Sequence, residues 1–346
     1  MNKKNLINLT IGLLIVIAFS YLLFKNISLA DLRNAFKEVE YLYLLPAVLL
    51  VALTFLFRAM RWRYLISSVK EVKTSHLFSP LMIGFMGNVL PGRAGEFIRP
   101  YLLGKKENLS FSASLATIIV ERLMDMLMFL LLLVGVLIFS ADILAQGNAG
   151  PDQRLLGYMI KFGWISFIGC ICIFSFSVLL QYKNDWAIKI VEFCTKPLPN
   201  KWREKIIGMV HSFTDGLSIL KDMKAFLASL ALSIPVWAAM IFTYYPIHLA
   251  FGLDSQLPMI TSILIVSLSI GIFISLFPAP AFLGSFQYAC VAALHEIFGI
   301  SEATAVSYGI IAWIVAMGFI IISGLFFLVK DDISFSEISA SREQTE

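Results

Sequence analysis

Charge is scarce in this chain. Asp, Glu, Lys and Arg account for 14% of its 346 residues, against about a quarter in an ordinary globular domain. Hydrophobic residues reach 59% and mean hydropathy is +0.83, which excludes a water-soluble domain and indicates an all-α integral membrane protein. Cysteine is scarce too. Cys170 and Cys172 lie in an apolar run and Cys194 and Cys290 are isolated, so neither a disulfide framework nor a thiolate metal site is expected. His76, His211, His248 and His295 lack metal-ligand spacing, and no P-loop marks an ATP site; no cofactor is expected. A basic tail or a basic patch interleaved with aromatics is also missing. The net charge of +4 therefore reports membrane topology, not nucleic-acid binding.

Long apolar runs are what the chain has in abundance. They predict six full transmembrane helices at residues 6–24, 41–57, 112–140, 157–181, 225–250 and 303–329, because about 20 apolar residues cover a hydrocarbon core of roughly 30 Å. The first run follows Lys3 and Lys4 as a signal sequence would. Its length and the lack of a small-residue cleavage site predict a retained span instead. Two other apolar segments, His76 to Leu103 and Pro258 to Gly299, are broken near the middle by Pro and Gly and read as re-entrant hairpins.

Positive residues mark the cytoplasmic side. Lys3 and Lys4, the group Arg58, Arg61, Arg63, Lys70 and Lys73, and then Arg99, Lys105 and Lys106 all fall inside if the first hairpin enters and leaves from the cytoplasm. Residues 251–302 hold no Lys or Arg, so the second hairpin should dip in from outside. Both termini are then cytoplasmic. Lys25, Arg33 and Lys37 break the pattern by falling outside, accompanied by Asp31, Glu38 and Glu40.

The resulting order of span, hairpin, span over 41–140 and again over 225–329 is an inverted repeat of the kind found in transporters. It lies within one membrane domain of residues 1–330, followed by a polar tail, 331–346. Eight full spans are the alternative. Between the repeats, residues 182–224 form a cytoplasmic amphipathic connector in which Trp202, Ile206, Met209, Val210, Phe213, Leu217 and Leu220 recur at helical spacing. It either lies on the membrane surface or packs on the bundle.

Function is expected where charge and broken backbone coincide. Between Asn88 and Arg99 the helix breakers Pro91, Gly92 and Gly95 stand beside Arg93, Glu96 and Arg99, and a charge at bilayer depth costs a few kcal/mol unless it meets a partner, a cavity or a substrate. On the following span Ser110, Ser114, Thr117, Glu121 and Asp125 share one face, with Arg122 about 100° round the helix from Glu121. These charges can neutralise one another, Arg93 with Glu121 and Arg122 with Glu96. They can also leave an arginine free for an anion, since a guanidinium gives phosphate two parallel hydrogen bonds and stays charged. The two readings are compatible. In the second hairpin Pro278, Pro280 and Gly284 supply the hinge and Gln287 is the strong polar group; His295 and Glu296 read as interfacial. The substrate-binding candidates are thus Asn88, Arg93, Glu96, Arg99, Glu121, Arg122, Asp125 and Gln287. No catalytic or metal-binding residue is assigned.

Asn88, Leu90-Pro91-Gly92-Arg93, Gly95-Glu96 and Arg99, followed by Ser110 and Glu121-Arg122-Asp125, resemble the flippase-like membrane domain of lysylphosphatidylglycerol synthases. The resemblance covers nearly the whole chain in length and hydropathy and is specific over residues 88–125. It implies movement of a lipid between leaflets, while the soluble aminoacyl-transferring domain is expected to be missing, with 17 residues after Val329. The second family signature reads as Pro, a Gly-Gly-x-Gly cluster and Glu; here Pro280-Ala281-Phe282-Leu283-Gly284 and Gln287 stand instead. The expectation is a cell-membrane lipid translocase for an anionic phospholipid, an aminoacyl-phospholipid or a glycolipid. Its partners would be membrane lipids and a separate lipid synthase or glycosyltransferase. The competing readings are a membrane-embedded transferase, with Glu121 or Asp125 as general base, and a scaffold for a separate synthase.

Overall fold

The computed structural model describes residues 28–89, 95–139 and 211–333, with isolated positions at 17 and 21, within 161–175 and at 207–208. The expected spans at 6–24 and 157–181 and most of the connector lie outside the described residues. So do Pro91, Gly92 and Arg93. Among the described residues every regular element is helical.

Helix α1 (Leu29–Lys37) is started by Ser28, whose hydroxyl accepts the Asp31 N–H at 3.1 Å. A 3-10 turn at Tyr41–Tyr43 leads into α2 (Leu44–Ile66). The apolar run expected to end at residue 57 therefore continues as helix to Ile66 and carries Arg58 and Arg61 with it. Helices α3 (Thr74–Gly87) and α4 (Gly95–Glu107) follow, then α5 (Phe111–Phe139). After residues 211–220 come α6 (Met223–Phe242), capped by the Asp222 carboxylate on two N–H groups, and α7 (Tyr244–Ala250). Next are α8 (Met259–Leu276), α9 (Ser285–Val291) continuing as a π turn Ala292–Ile297, and α10 (Glu302–Lys330).

Among the described residues four stretches are long and apolar enough to cross a membrane: Tyr41–Ile66, Met223–Ala250, Met259–Leu276 and Glu302–Lys330. Helix α5 matches α10 at 29 residues, about 43 Å, but carries Glu121, Arg122 and Asp125 along its length. The remaining helices are shorter. At 14 and 13 residues, α3 and α4 measure about 20 Å each, well under a hydrocarbon core of roughly 30 Å.

Helices α3 and α4 form an antiparallel pair. At its closed end glycines remove the side chains that would hold the backbones apart: a Cβ on Gly95 would sit 1.8 Å from the Gly84 carbonyl oxygen, and one on Gly87 2.6 Å from Ile98 Cδ1. At its open end His76 Nδ1 and Lys70 Nζ lie 2.7 and 3.0 Å from the Glu107 carboxylate. The second break, between α8 and α9, is written in backbone dihedrals. Pro280 opens a 3-10 turn, Ala281 and Phe282 take φ of 51° and 59°, and Gly284 takes 81°.

Helix α10 records how far each pair reaches. Ser79 and Lys106, at the open end of the α3–α4 pair, bond to Asp331 just past its C-terminus, while Met86, near the closed end, packs against Gly324. From the other direction, the α8–α9 turn meets α10 where Trp313 Nε1 donates to the Ala281 carbonyl at 2.8 Å. Met86 of α3 and the α8–α9 turn therefore meet one helix 11 residues apart, about 16 Å. In the connector, Leu217 and Ile219 are wholly buried and Gly216 lies against the Ala113 backbone, so this end packs into the bundle.

Candidate functional site

Four elements bring their polar faces together at one buried point. Helix α5 supplies Glu121, with no exposed surface, and Asp125 one turn on. Arg99 of α4 clamps Glu121 in a fork, Nη1 to Oε1 at 3.2 Å and Nη2 to Oε2 at 2.9 Å. Arg122 Nη2 reaches Glu121 at 2.6 Å and Asp125 at 3.4 Å. From α2, Arg61 bonds Asp125 at 2.8 Å and lies 3.4 Å from Glu121, and Arg58 lies 3.4 Å from Asp125 and 3.8 Å from Glu121. Helix α6 closes the far side: Ser233 Oγ accepts from Arg61 at 3.1 Å and Trp237 Nε1 donates to Asp125 at 3.4 Å.

Aromatic faces support the cations. Arg99 lies 4.5 Å over the Trp62 ring and 5.4 Å over Phe85, and Arg58 lies 5.3 Å over Phe85, which offsets part of the desolvation cost of a buried guanidinium. Trp62 is itself held by its Nε1 donating to Thr117 at 3.1 Å. Gly84 is required here, because a Cβ would fall 2.0 Å from Arg99 Cγ.

Four guanidinium groups thus meet two carboxylates, leaving an excess of two positive charges. Half-buried Glu96 is near enough to Arg122 to act on it electrostatically and lowers that excess to one. Donors remain unused: the Nε atoms of Arg61, Arg99 and Arg122 are buried without a hydrogen-bond partner among the described residues. The Arg122 side chain is 35% exposed whereas Arg61, Arg99 and Glu121 are closed, so the cluster opens at its Arg122 edge. An acceptor-rich anion suits such a place.

Of the sequence candidates, Arg99, Glu121, Arg122 and Asp125 come together and Glu96 stands beside them. Asn88 lies at the closed end of the α3–α4 pair with its buried Oδ1 unpartnered among the described residues, and Arg93 is outside the described residues. Gln287 is placed elsewhere: its Oε1 accepts the Gly284 N–H at 2.8 Å and caps α9. Arg122 makes direct contact with Glu121, and its expected partner Glu96 acts on it electrostatically from beside the cluster. Arg58 and Arg61, read from sequence as part of a cytoplasmic basic segment, are buried members of the cluster instead. Their spacing with Thr54 puts all three on one face of α2, and Ser229, Ser233 and Trp237 recur every four residues on α6; both stripes were available as signals.

Residues 9–324 match the family described as the lysylphosphatidylglycerol synthase TM region. The chain belongs to that family. A UPF0104 membrane protein of Methanothermobacter thermautotrophicus is 23% identical over 78% of this lysylphosphatidylglycerol synthase TM-region protein and 80% of its own length. The glycosyltransferase AglD of Haloferax volcanii is 20% identical over 95% of the chain, which spans 55% of AglD. A UPF0104 membrane protein of Pyrococcus horikoshii is 25% identical over 61% of the chain and 64% of its own length. No solved structure matches this member of the family.

Proposed function

We propose that the chain is a lipid translocase in the cell membrane, moving an anionic phospholipid, an aminoacyl-phospholipid or a glycolipid between leaflets. The observation that carries this reading is the buried arginine cluster, with excess positive charge, unused donors and one accessible edge. An anionic headgroup would meet Arg122 first, and Glu96 beside it would receive any cationic part of the same headgroup. Arg99, Arg58 and Arg61 would hold the charge balance as the headgroup arrives, and Arg93 would extend the site from the adjoining turn. In this reading α3–α4 and α8–α9 are re-entrant hairpins that dip from the cytoplasmic and outer faces, and both termini are cytoplasmic. The lengths of α3 and α4 and the opposed approaches to α10 support that topology.

The test is leaflet exchange of labelled phosphatidylglycerol, its lysyl form and a glycolipid in liposomes. Wild type should exceed empty liposomes for at least one lipid, and Arg122→Gln should lose that gain while remaining folded. Exchange equal to empty liposomes for every lipid would overturn the proposal. The likeness to AglD favours a second reading, service to a glycosyltransferase that is a separate partner, in which neutralising Arg122 leaves the partner's product unchanged.

A further inference from the structure

Arg33 and Lys37 are the charges that violate the positive-inside pattern, and the arginine cluster does not involve them. They stand one turn apart on α1, both exposed, and neither makes an ion pair or hydrogen bond among the described residues. With Leu32, Phe36 and Tyr41 they line a groove of about 560 Å³, within the range of pockets that hold small ligands. Its chemistry is divided. Leu32 and Phe36 give an apolar wall continuous with the packed side of α1, and the two cations stand at the rim.

The depth of the groove is marked independently. Tyr41 and Tyr43 are exposed at the start of α2 beside exposed Leu42 and Leu45, the arrangement of an aromatic belt at the headgroup level of a bilayer. Tyr41 belongs to both belt and groove, its hydroxyl donating to the Phe36 carbonyl at 2.9 Å. Helix α1 also lies at the end of the molecule opposite Asp331: the Glu40 N–H bonds the Ala250 carbonyl, while the C-terminus of α2 leads to Lys70 and Glu107 at the other end.

We infer that this groove is an interfacial site for one anionic phospholipid on the outer face, its phosphate bridging Arg33 and Lys37 and its glycerol and upper acyl chain against Leu32 and Phe36. Neighbours one helical turn apart can share one phosphate, and the apolar wall selects a lipid over a free anion. The site explains why two cations sit on the side where topology disfavours them. The site rests on the topology of the proposed function for its place on the outer face, but it does not need the arginine cluster to move lipid.

The test uses the full-length chain in nanodiscs of phosphatidylcholine doped with a photoactivatable phosphatidylglycerol, with crosslinks mapped to residues 28–43. Wild type should label there, and Arg33→Gln with Lys37→Gln should cut labelling by about five- to thirtyfold, whereas exposed Arg63→Gln should leave it unchanged. High salt should weaken labelling in the wild type. Equal labelling of the double variant, or equal labelling by a photoactivatable phosphatidylcholine, would overturn the site. Loss of labelling with inorganic phosphate beyond that caused by sodium chloride of the same ionic strength would overturn the lipid as its preferred occupant and assign the groove to a free anion.

Discussion

Glu121 is the residue on which the cluster turns, because its two oxygens serve Arg99, Arg122, Arg61 and Arg58 together. Removing one partner of a buried ion pair strands the other charges and costs about 3–5 kcal/mol. Glu121→Gln should therefore lower the thermal midpoint in detergent sharply, while half-buried Glu96→Gln should cost less than about 1 kcal/mol. Glycine positions separate in the same assay. Gly95→Ala drives a methyl to 1.8 Å from the Gly84 carbonyl oxygen, and Gly324→Ala meets Met86 Cβ, an atom fixed to its own backbone, at 2.6 Å, so both should be destabilising and Gly95→Ala the more so. Ala281 and Phe282 hold left-handed backbone where the family signature has glycines. Ala281→Gly should raise stability by up to about 1 kcal/mol, read from the same melting curves. Gln287 where the signature has Glu is less of a loss than its charge suggests, since either side chain can accept the Gly284 N–H that Gln287 accepts here.

Among the elements, the open end of the α3–α4 pair is fastened by carboxylates that respond to pH. The hydrogen bond from His76 and the nearby Lys70 hold the Glu107 carboxyl below its usual range against a smaller effect of burial. Burial alone would raise Asp331, but Lys106 and Ser79 together bring it below its usual range. Groups depressed on folding stabilise above their unfolded pKa of about 4 and lose that stabilisation as pH falls through the lower folded value. The fastening should hold at neutral pH and loosen below about pH 4; Glu107→Gln with Asp331→Asn should flatten the pH dependence of limited proteolysis near residue 107. The elements also show what sequence could and could not reveal. Pro and Gly signal the breaks expected at 88–95 and 277–284 because they cluster there, whereas single ones such as Pro80, Pro100 and Gly324 are carried inside helices, and the Glu121–Asp125 face follows from helical spacing alone. Arg58 and Arg61 were hidden because counting positive charges does not distinguish a guanidinium facing a carboxylate on another helix from exposed Arg63 two residues on. That partner, Asp125, is 64 residues from Arg61 in the chain.

For the whole molecule, the competing topologies differ in where the ends of α3 and α4 lie. His76 and Lys106 are both at the Glu107 end of the pair. His76→Cys and Lys106→Cys, in a chain with its four native cysteines replaced, should react with a membrane-impermeant thiol reagent from the same side of sealed vesicles. Opposite-sided labelling would establish eight full crossings instead. Ser233 and Trp237 of α6 bond Arg61 of α2 and Asp125 of α5 across 172 and 112 residues of chain, so the charge cluster of α2, α4 and α5 is completed by a neutral acceptor and a neutral donor from much later in the chain.

Helix α10 touches the α8–α9 turn at Trp313 and Met86 of α3 at Gly324, on either side of its midpoint. A tilt of this helix about its centre toward one contact would draw it away from the other, as a balance beam does, so a displacement at either contact would be carried to the other.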